Sequence, residues 1–461
     1  MASILWFRRD LRIEDNPLLS EFTHDEVLPI FIFDKDILDS LDKDDKRVNF
    51  IFDSVCSLKA KLHSIGLDLA IFYGKPLEVF EYISQHTTID EILACVDNDS
   101  YAKTRDDKIR QKYQFKSFED AFLFPSSYAL KKDGTPYRVF TPFYKSIFPF
   151  IEALAQKQYF IKNSKIQHFK YYFILDVSQK NELPIQLSSI GFEKSDISHI
   201  PYINNPLELL RDFKPLYNSY KDLRDDISKQ PYTSGLGIHL RFGTIGIKEC
   251  IRELISYQKE GIDTSEFIRE LIWREFWNML LIHFPKSETD NFYDVDIKWE
   301  NNENKFKAWC DGNTGVPIID AAMKELNATG FLHNRLRMVV SSFLTKDLLI
   351  DWRWGERYFA TKLLDYEASS NIGSWQWASS TGADGVPYFR VFNPYLQTKK
   401  FDNDGVYIKK WVSEYKDMPS NKLYDENYLL MYGDSFYKKP IVVHKIASER
   451  FVRTYKEGMI K

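Results

Sequence analysis

The sequence predicts an α/β N-terminal domain built on a parallel sheet, followed by an all-α C-terminal domain. Apolar runs of strand length at 3–7, 28–33, 67–73 and 91–96 alternate with amphipathic stretches such as 48–65. This alternation is typical of a parallel sheet covered on both faces. Beyond about residue 200 helical periodicity dominates, and nine of the ten tryptophans lie at or after Trp273. We therefore expect domains at 1–125 and 200–461, joined by a less regular connecting segment at 126–199.

The composition is that of a globular protein without a membrane span. The chain has 461 residues, of which 44% are hydrophobic and 28% charged, and no apolar run is long enough to cross a bilayer. The four cysteines stand far apart and form no CxxC pair, so neither a zinc site nor a disulfide framework is expected. These features favour a cytoplasmic protein without a metal. We also expect a monomer.

The charge is unevenly distributed along the chain, although its net value is only −4. Residues 1–50 hold seven Lys or Arg against twelve Asp or Glu, whereas residues 331–400 hold nine against six. A basic patch in the C-terminal half would suit a polyanionic partner. Ordinary scatter of surface charge is the alternative.

A helix is predicted over 266–284, EFIRELIWREFWNMLLIHF. Glu270, Trp273, Arg274 and Trp277 are spaced at i, i+3, i+4 and i+7, and therefore share one face of that helix. A carboxyl group between two indoles is poorly solvated, so its protonated form is favoured unless it is paired. A protonated Glu could donate a hydrogen bond to a substrate carbonyl. The alternative is an ordinary ion pair of Glu270 with Arg274.

Three further segments carry polar groups that suit a planar, phosphorylated ligand. In 330–352 Asn334, Arg337, Met338 and Ser341 follow helical spacing, although a plain amphipathic helix would show the same pattern. In 363–390 small and polar residues surround two tryptophans, which lets a backbone approach a flat ligand. TSGLG at 233–237 offers hydroxyls and unhindered amides that could cradle phosphates.

Several longer motifs resemble the DNA photolyase/cryptochrome family. They are WFRRDLRIEDNPLL at the start, HLRFG at 239–243, ELIWREF at 270–276, DAAMKELNATGFLHNRLRM at 320–338, DWRWGERYF at 351–359 and NIGSWQWASSTGADGVPYFRVFNP at 371–394. The resemblance covers nearly the whole chain in the same order. It implies the photolyase/cryptochrome fold, with a Rossmann-like antenna domain and an all-α FAD-binding domain. It also implies that the protein splits cyclobutane pyrimidine dimers in UV-damaged DNA, using light and reduced FAD.

Matched residue by residue, the resemblance implies an FAD-binding set. Asn371 is expected to face flavin N5, and Arg337 with Asp365 to form an ion pair beside the flavin. The implied set comprises Tyr220, Thr233, Ser234, Gly235, Leu236, Gly237, Phe267, Glu270, Arg274, Asn334, Arg337, Asp365, Tyr366, Glu367 and Asn371.

The resemblance likewise implies the residues for repair, electron transfer and DNA binding. Catalytic roles fall to Glu270, Asn334, Met338 and Asn371, and the electron chain from flavin to surface to Trp375, Trp352 and Trp299. Trp309, Trp354 and Trp411 are interpreted as packing residues. The expected DNA contacts are Arg224, Trp273, Trp277, Arg335, Trp377 and Arg390.

Two departures from the family pattern concern the cofactors. Relatives often have TSRLS where this chain has TSGLG, so a cation near the FAD diphosphate is missing. The resemblance allows a second, antenna chromophore of folate or deazaflavin type. Ala102 stands where folate-binding relatives carry Glu, whereas Lys286 matches a folate-contacting lysine, so its identity stays open. The alternatives to dimer repair are a blue-light photoreceptor of cryptochrome type and a (6-4) photolyase.

Overall fold

The computed structural model describes residues 2–125, 130–166, 173–175, 186–197, 205–228, 233–435 and 437–459. The chain folds into two compact units, each assembled from three segments. The N-terminal unit comprises Met1–Gly134, Phe143–Lys214 and Gly235–Asn278, and the C-terminal unit comprises Thr135–Pro142, Pro215–Ser234 and Met279–Lys461. The boundaries predicted after residues 125 and 199 thus fall inside the N-terminal unit, because the chain leaves each unit and returns to it.

A parallel sheet forms the centre of the N-terminal unit. Its described strands are β1 (Ala2–Phe7), β2 (Glu26–Asp34), β3 (Ala70–Gly74), β4 (Ile89–Cys95), β5 (Phe115–Phe118), β6 (Lys165–Ile166) and β7 (Phe173–Leu175). They run in the order β5-β4-β1-β2-β3-β7, with β6 paired to the start of β2. All four strands predicted from apolar runs are present, and the α/β prediction is confirmed.

The two faces of β1 supply two separate cores, as expected for a strand covered on both sides. Leu5 and Phe7 belong to one apolar cluster, and Ile4 and Trp6 to another. The helices that lie wholly in this unit are α1 (Lys35–Leu38), α2 (Lys46–Ser64), α3 (Pro76–Ser84), α4 (Ser100–Arg110), α6 (Ile151–Ala155), α7 (Pro206–Phe213), α9 (Gly237–Phe242) and α10 (Ile247–Lys259).

The segment expected to be a less regular connection contains more structure than its sequence predicts. It holds α5 (Phe140–Ile147), α6, and the short strands β6 and β7, both paired to the main sheet. Strands of two and three residues show no measurable periodicity. Their pairing depends on tertiary contacts, which a local pattern does not report. The part of this segment at 126–129, 167–172, 176–185 and 198–199 lies outside the described residues.

The C-terminal unit is helical in its described part. α8 (Tyr220–Leu223) precedes the long helix α11 (Ser265–His283), which begins in the N-terminal unit and ends in this one. The helices that follow are α12 (Glu303–Cys310), α13 (Pro317–Thr329), α14 (Asn334–Ser342), a π-helix at Phe343–Asp347, α15 (Trp352–Lys362), α16 (Ala368–Ser379), α17 (Pro394–Phe401), α18 (Val406–Trp411), α19 (Glu426–Tyr432) and α20 (His444–Met459). Among the described residues, no helix is both long and apolar enough to cross a membrane.

A buried carboxyl group links two helices of this unit. The Tyr407 hydroxyl on α18 donates to Glu325 on α13 at 2.6 Å. Glu325 is only 3% exposed, and this burial raises its pKa to about 7 despite the hydrogen bond. Ionising the carboxyl in the folded protein is therefore costly.

We predict that Glu325→Gln changes how stability depends on pH. The wild-type carboxyl ionises near its ordinary pKa of 4.5 when unfolded but near 7 when folded, so the folded state binds the extra proton in between. Wild-type stability is consequently lost as pH rises through this window. Between pH 5 and 8 the variant should gain about 2 kcal/mol of unfolding free energy relative to wild type.

Denaturant unfolding at both pH values measures this difference. Glu449→Gln is the matched control, because it makes the same charge change at an exposed position. Parallel pH curves for wild type and Glu325→Gln would contradict the prediction.

Candidate flavin and DNA-lesion site

The predicted site residues fall in both units, and the structure arranges each group within its own unit. Phe267, Glu270, Trp273, Arg274 and Trp277 lie on α11 in the N-terminal unit. Gly235, Leu236 and Gly237 lie in the same unit. The other predicted residues, at 220–234 and 299–390, lie in the C-terminal unit.

The face of α11 predicted from residue spacing is present. Trp273 and Trp277 stack with ring centroids 5.4 Å apart and planes inclined by 29°. Trp273 is half-buried, whereas Trp277 is only 8% exposed, so the buried ring supports the outer one. Glu270 is half-buried one turn before Trp273. A carboxyl group and a flat aromatic surface therefore share one face of the helix.

Arg274 holds a neighbouring loop of the same unit. Its guanidinium donates to the carbonyl of Ala121 at 2.5 Å and to that of Leu240 at 3.3 Å, and it lies 4.1 Å from the ring centroid of Phe122. The adjacent Glu275 accepts hydrogen bonds from two backbone amides of this loop, at Leu123 and Phe124. The structure thus gives Arg274 a structural role, while its contact with FAD stays a prediction.

The TSGLG stretch turns sharply into a helix. Gly235 has φ = +73°, the left-handed region that favours glycine. Ser234 and Leu236 are buried, and α9 begins at Gly237. Thr233 is half-buried, and Tyr220 on α8 is 6% exposed. An arginine at position 235 would be strained in this backbone conformation, which gives a physical reason for the departure from TSRLS.

The structure forms the ion pair expected beside the flavin. Arg337 on α14 donates from one terminal nitrogen to both carboxylate oxygens of Asp365, each at 3.0 Å. Its Nε donates to the carbonyl of Leu332 at 2.7 Å, so the guanidinium is fixed on two sides. Neither side chain is fully buried. The pair is thus a pre-oriented charged element of this unit.

Glu356 is a residue of this site to which the sequence assigned no role. Its carboxylate accepts hydrogen bonds from Asn371 Nδ2 at 3.0 Å and from the Tyr366 hydroxyl at 3.3 Å. Burial raises the pKa of Glu356 above its ordinary value. The sequence signal was available within DWRWGERYF, where an acid follows a helical glycine. Glu356 orients two predicted flavin residues at once.

Close packing beside Glu356 fixes the innermost tryptophan of the expected electron chain. A Cβ at Gly355 would lie 2.1 Å from the Trp375 ring, so only glycine allows the indole this close to α15.

The other tryptophans differ in burial. Trp352 is 1% exposed and its Nε1 donates to Asn291 at 2.9 Å, whereas Trp299 is half-buried. Trp309, interpreted as a packing residue, is fully buried and lies 6.0 Å from Trp375 between ring centroids.

The C-terminal unit has polar groups, one of them unsatisfied, of the kind that bind a flavin nucleotide. Buried Ser369 has a hydroxyl with no hydrogen-bond partner among the described residues, two positions before Asn371. Arg337, Tyr366 and Asn371 add a cation, a hydroxyl and an amide. Orphaned buried hydroxyls are rare and a ligand would satisfy this one. These residues therefore fit bound FAD.

The predicted lesion and DNA residues of this unit are accessible in different degrees. Asn334 is exposed at the start of α14, with its amide 4.0 Å from Met338 Sδ. Trp377 is half-buried, 6.3 Å from Phe392 between ring centroids, and Arg390 is exposed.

Arg335 donates to Asp225 at 2.7 Å and lies 4.7 Å from the Phe401 ring, beside half-buried Arg224. A phosphate would therefore compete with Asp225 for Arg335.

The carboxyl ends of β1, β2 and β4 carry a second polar cluster, where parallel sheets ordinarily bind ligands. The guanidiniums of Arg8 and Arg105 lie 4.6 and 4.9 Å from the Trp6 ring centroid. Asp106 accepts from both, yet Arg8 Nε and Arg105 Nη2 are buried without a partner among the described residues. An anionic, planar antenna chromophore would fit such donors. Ala102 is buried on α4, and the identity of the chromophore stays open.

Comparison with known proteins agrees with this description. Residues 267–457 match the family model described as FAD binding domain of DNA photolyase, and residues 3–156 match the DNA photolyase model. The deoxyribodipyrimidine photo-lyase of Alkalihalophilus pseudofirmus is 32% identical over 98% of this chain and 97% of its own.

Two solved structures have the same architecture. A class III photolyase from Agrobacterium tumefaciens has a TM-score of 0.83 and 31% identity, covering 100% of this chain and 98% of its own. A photolyase from Sulfolobus tokodaii, solved with two FAD molecules, has a TM-score of 0.79 and 33% identity, covering 99% and 100%.

The fold and the helical site define a flavoprotein with an N-terminal parallel sheet and a C-terminal FAD-binding part. The chain belongs to the DNA photolyase family. The predictions of fold class, family and FAD are thereby confirmed.

We predict that Asp365→Asn weakens FAD binding without unfolding the protein. Asparagine keeps the volume but removes the charge that holds Arg337, and charge-assisted hydrogen bonds contribute about 1.5–3 kcal/mol. The Kd for FAD should rise about tenfold or more, measured as flavin released on dilution. Asp311→Asn, which breaks the exposed pair with Lys307, is the control and should retain FAD. Equal retention by both variants would place Asp365 outside the flavin site.

Proposed function

We propose that this protein repairs cyclobutane pyrimidine dimers in DNA in a light-dependent reaction. The observation that carries the proposal is the α11 face, which Glu270 shares with the stacked pair of Trp273 and Trp277. The relatives named deoxyribodipyrimidine photo-lyase support it over nearly the full chain. When bound in its reduced form, FAD supplies the electron that light makes available for bond cleavage.

Trp273 and Trp377 provide flat apolar surfaces for the lesion. Enzymes that act on bases, photolyases among them, take the target out of the helical stack. An extruded dimer exposes large ring faces, which aromatic side chains bind by stacking. Trp277 would support Trp273 from the buried side, since only 8% of its surface is exposed.

Glu270 would stabilise the negative charge that develops on a pyrimidine when it accepts an electron. In its protonated form the carboxyl donates a hydrogen bond to a pyrimidine carbonyl, and in a water-poor site such a bond is strong. Asn334, exposed at the start of α14, would also hydrogen-bond the dimer, with Met338 supporting its amide. Asn371, held by Glu356, would face the flavin.

Arg224, Arg335 and Arg390 would contact phosphates that flank the lesion. Such contacts position the duplex without reading its sequence, and they weaken as salt rises. Arg390 is exposed and ready for this role, whereas Arg335 would exchange Asp225 for a phosphate. Lesion specificity would then come from the aromatic and carboxyl groups.

Illumination of the purified, FAD-loaded protein with a dimer-containing oligonucleotide tests the proposal. Loss of dimers in light but not in darkness is the expected result. A photoreceptor of cryptochrome type would bind FAD and leave the dimers intact, and a (6-4) photolyase would repair only (6-4) photoproducts.

We predict that Glu270→Gln lowers the repair yield per absorbed photon severalfold while FAD content is unchanged. Glutamine preserves the volume and can still donate a hydrogen bond, so dimer affinity should fall only modestly. It cannot share a proton with the developing anion. Quantum yield and dimer affinity should be measured on the same preparation.

Glu266→Gln on the same helix is the matched control, because Glu266 contacts Arg269 at 3.9 Å and has no proposed role in repair. If Glu270 acts only as an ion-pair partner of Arg274, its loss would cost about 0.2–0.5 kcal/mol of stability. A wild-type yield in Glu270→Gln would then refute the catalytic assignment.

We predict that Trp299→Phe blocks light-driven reduction of bound, oxidised FAD but spares repair by chemically reduced enzyme. Phenylalanine is far harder to oxidise than tryptophan, and Trp299 is the outermost member of the proposed chain with Trp375 and Trp352. Absorption spectra during illumination with a reductant follow the reduction. Trp411→Phe is the control and should reduce at the wild-type rate. Normal reduction in Trp299→Phe would point to another path, such as one through Trp309.

A further inference from the structure

Lys346 is a buried cation that is not among the predicted flavin, lesion or DNA residues. It lies in the π-helix Phe343–Asp347 directly after α14, and its side chain is 0% exposed. Burying an ammonium group costs free energy unless it is hydrogen-bonded or paired. π-helices also occur frequently at functional sites. Lys346 is therefore a candidate for a functional role.

The ammonium group joins the two ends of one loop. Nζ donates to the Ser380 hydroxyl at 2.8 Å and to the backbone carbonyl of Arg390 at 3.1 Å. It also lies 5.3 Å from the ring centroid of Phe451 on α20. Residues 380–390, here called the DNA loop, connect the end of α16, which carries Trp377, to Arg390.

The DNA loop is further held against α20 and against α16. Ser380 has φ = +66°, and its carbonyl accepts from the Tyr455 hydroxyl at 2.6 Å. Tyr388 stacks on Tyr455 with ring centroids 4.8 Å apart and an interplanar angle of 4°, and the Val386 amide donates to the Trp377 carbonyl at 3.1 Å. In the described structure, the Lys346 side chain thus fixes the same loop at its first and last residues.

The π-helix itself is anchored beside the lysine. Asp347 accepts from His444 Nδ1 at 2.6 Å, and Arg450 donates to the Asp347 carbonyl at 2.6 Å, both from α20. Burial lowers the pKa of Lys346 to about 7, although the nearby Asp347 favours the charged form. Both the ammonium and the neutral amine donate hydrogen bonds, so the loop stays closed in either state.

We propose that Lys346 is a positioning residue that closes the DNA loop and so fixes Arg390 and Trp377 for binding of damaged DNA. The inference rests on the proposed function, because it assumes that these two side chains contact DNA. An exposed arginine on an unanchored loop would lose conformational entropy on binding, whereas a closed loop has lost it already.

Lys346→Met tests the inference, because methionine fills similar volume and removes all the donors. The Kd for dimer-containing DNA should rise about tenfold, equivalent to about 1.4 kcal/mol. The yield per photon at saturating DNA should change far less than the Kd, and FAD content should stay at wild type. Tyr407→Phe is the control, since it removes a buried hydrogen bond to Glu325 away from the loop. It should lower thermal stability without changing the Kd.

A double-mutant cycle with Arg390→Ala separates positioning from general destabilisation. If Lys346 acts through the loop, Lys346→Met should raise the Kd markedly less than tenfold when Arg390 is already absent, because only Trp377 then remains to be positioned. Additive effects, or an equal rise of Kd in Tyr407→Phe, would overturn the inference. If Lys346→Met does not fold, Ser380→Ala removes one acceptor and should raise the Kd about threefold; an unchanged Kd there would also overturn it.

Different results would reject this inference and the proposed function. Weaker binding by Arg390→Ala with unchanged binding by Lys346→Met would reject the positioning role alone. An unchanged Kd in Arg390→Ala would remove Arg390 from the interface and the inference with it. Absence of light-dependent repair by wild-type protein that binds dimer-containing DNA would reject the proposed function while leaving the loop measurements interpretable.

Discussion

The packing of α16 on α15 is the constraint on which the helical site depends. The Trp375 ring lies so close to Gly355 that any side chain there would clash, and Glu356 then faces Asn371 and Tyr366. One helix contact therefore orients the innermost indole, an amide and a hydroxyl together. A shift of this contact would move all three, because the interior is close-packed and cannot adjust each side chain separately.

Much of this arrangement could be predicted from the sequence. Apolar runs of strand length identified β1 to β4, and helical spacing placed Glu270, Trp273 and Trp277 on one face of α11. These features are local, so a window of residues contains the information. The Arg337–Asp365 pair required the family resemblance, since the two residues lie on separate elements.

The features that could not be predicted from the sequence depend on contacts between residues that are distant in the chain. The roles of Glu356 and Lys346 depend on which groups face them, and both residues look like ordinary helical charges in the sequence. Arg335 was predicted to contact phosphate, but the sequence did not indicate its ion pair with Asp225, which lies more than a hundred positions earlier. Each unit is likewise completed by segments that are distant in the chain, which a local pattern does not report.

The tryptophans of the C-terminal unit differ in burial, and this difference would favour movement of a positive charge from the buried indoles toward the surface. An oxidised indole is a cation, and a cation is more stable where water reaches it. Trp375 and Trp352 are almost fully buried, whereas Trp299 is half-buried, so a positive charge would be stabilised as it moves outward. Trp309 contacts Trp375 as well, but it is fully buried with its Nε1 bound to the carbonyl of Val340. A positive charge on Trp309 would not be stabilised by solvent. Contact between the rings of Trp309 and Trp375 is therefore not enough to make Trp309 the main route of electron transfer.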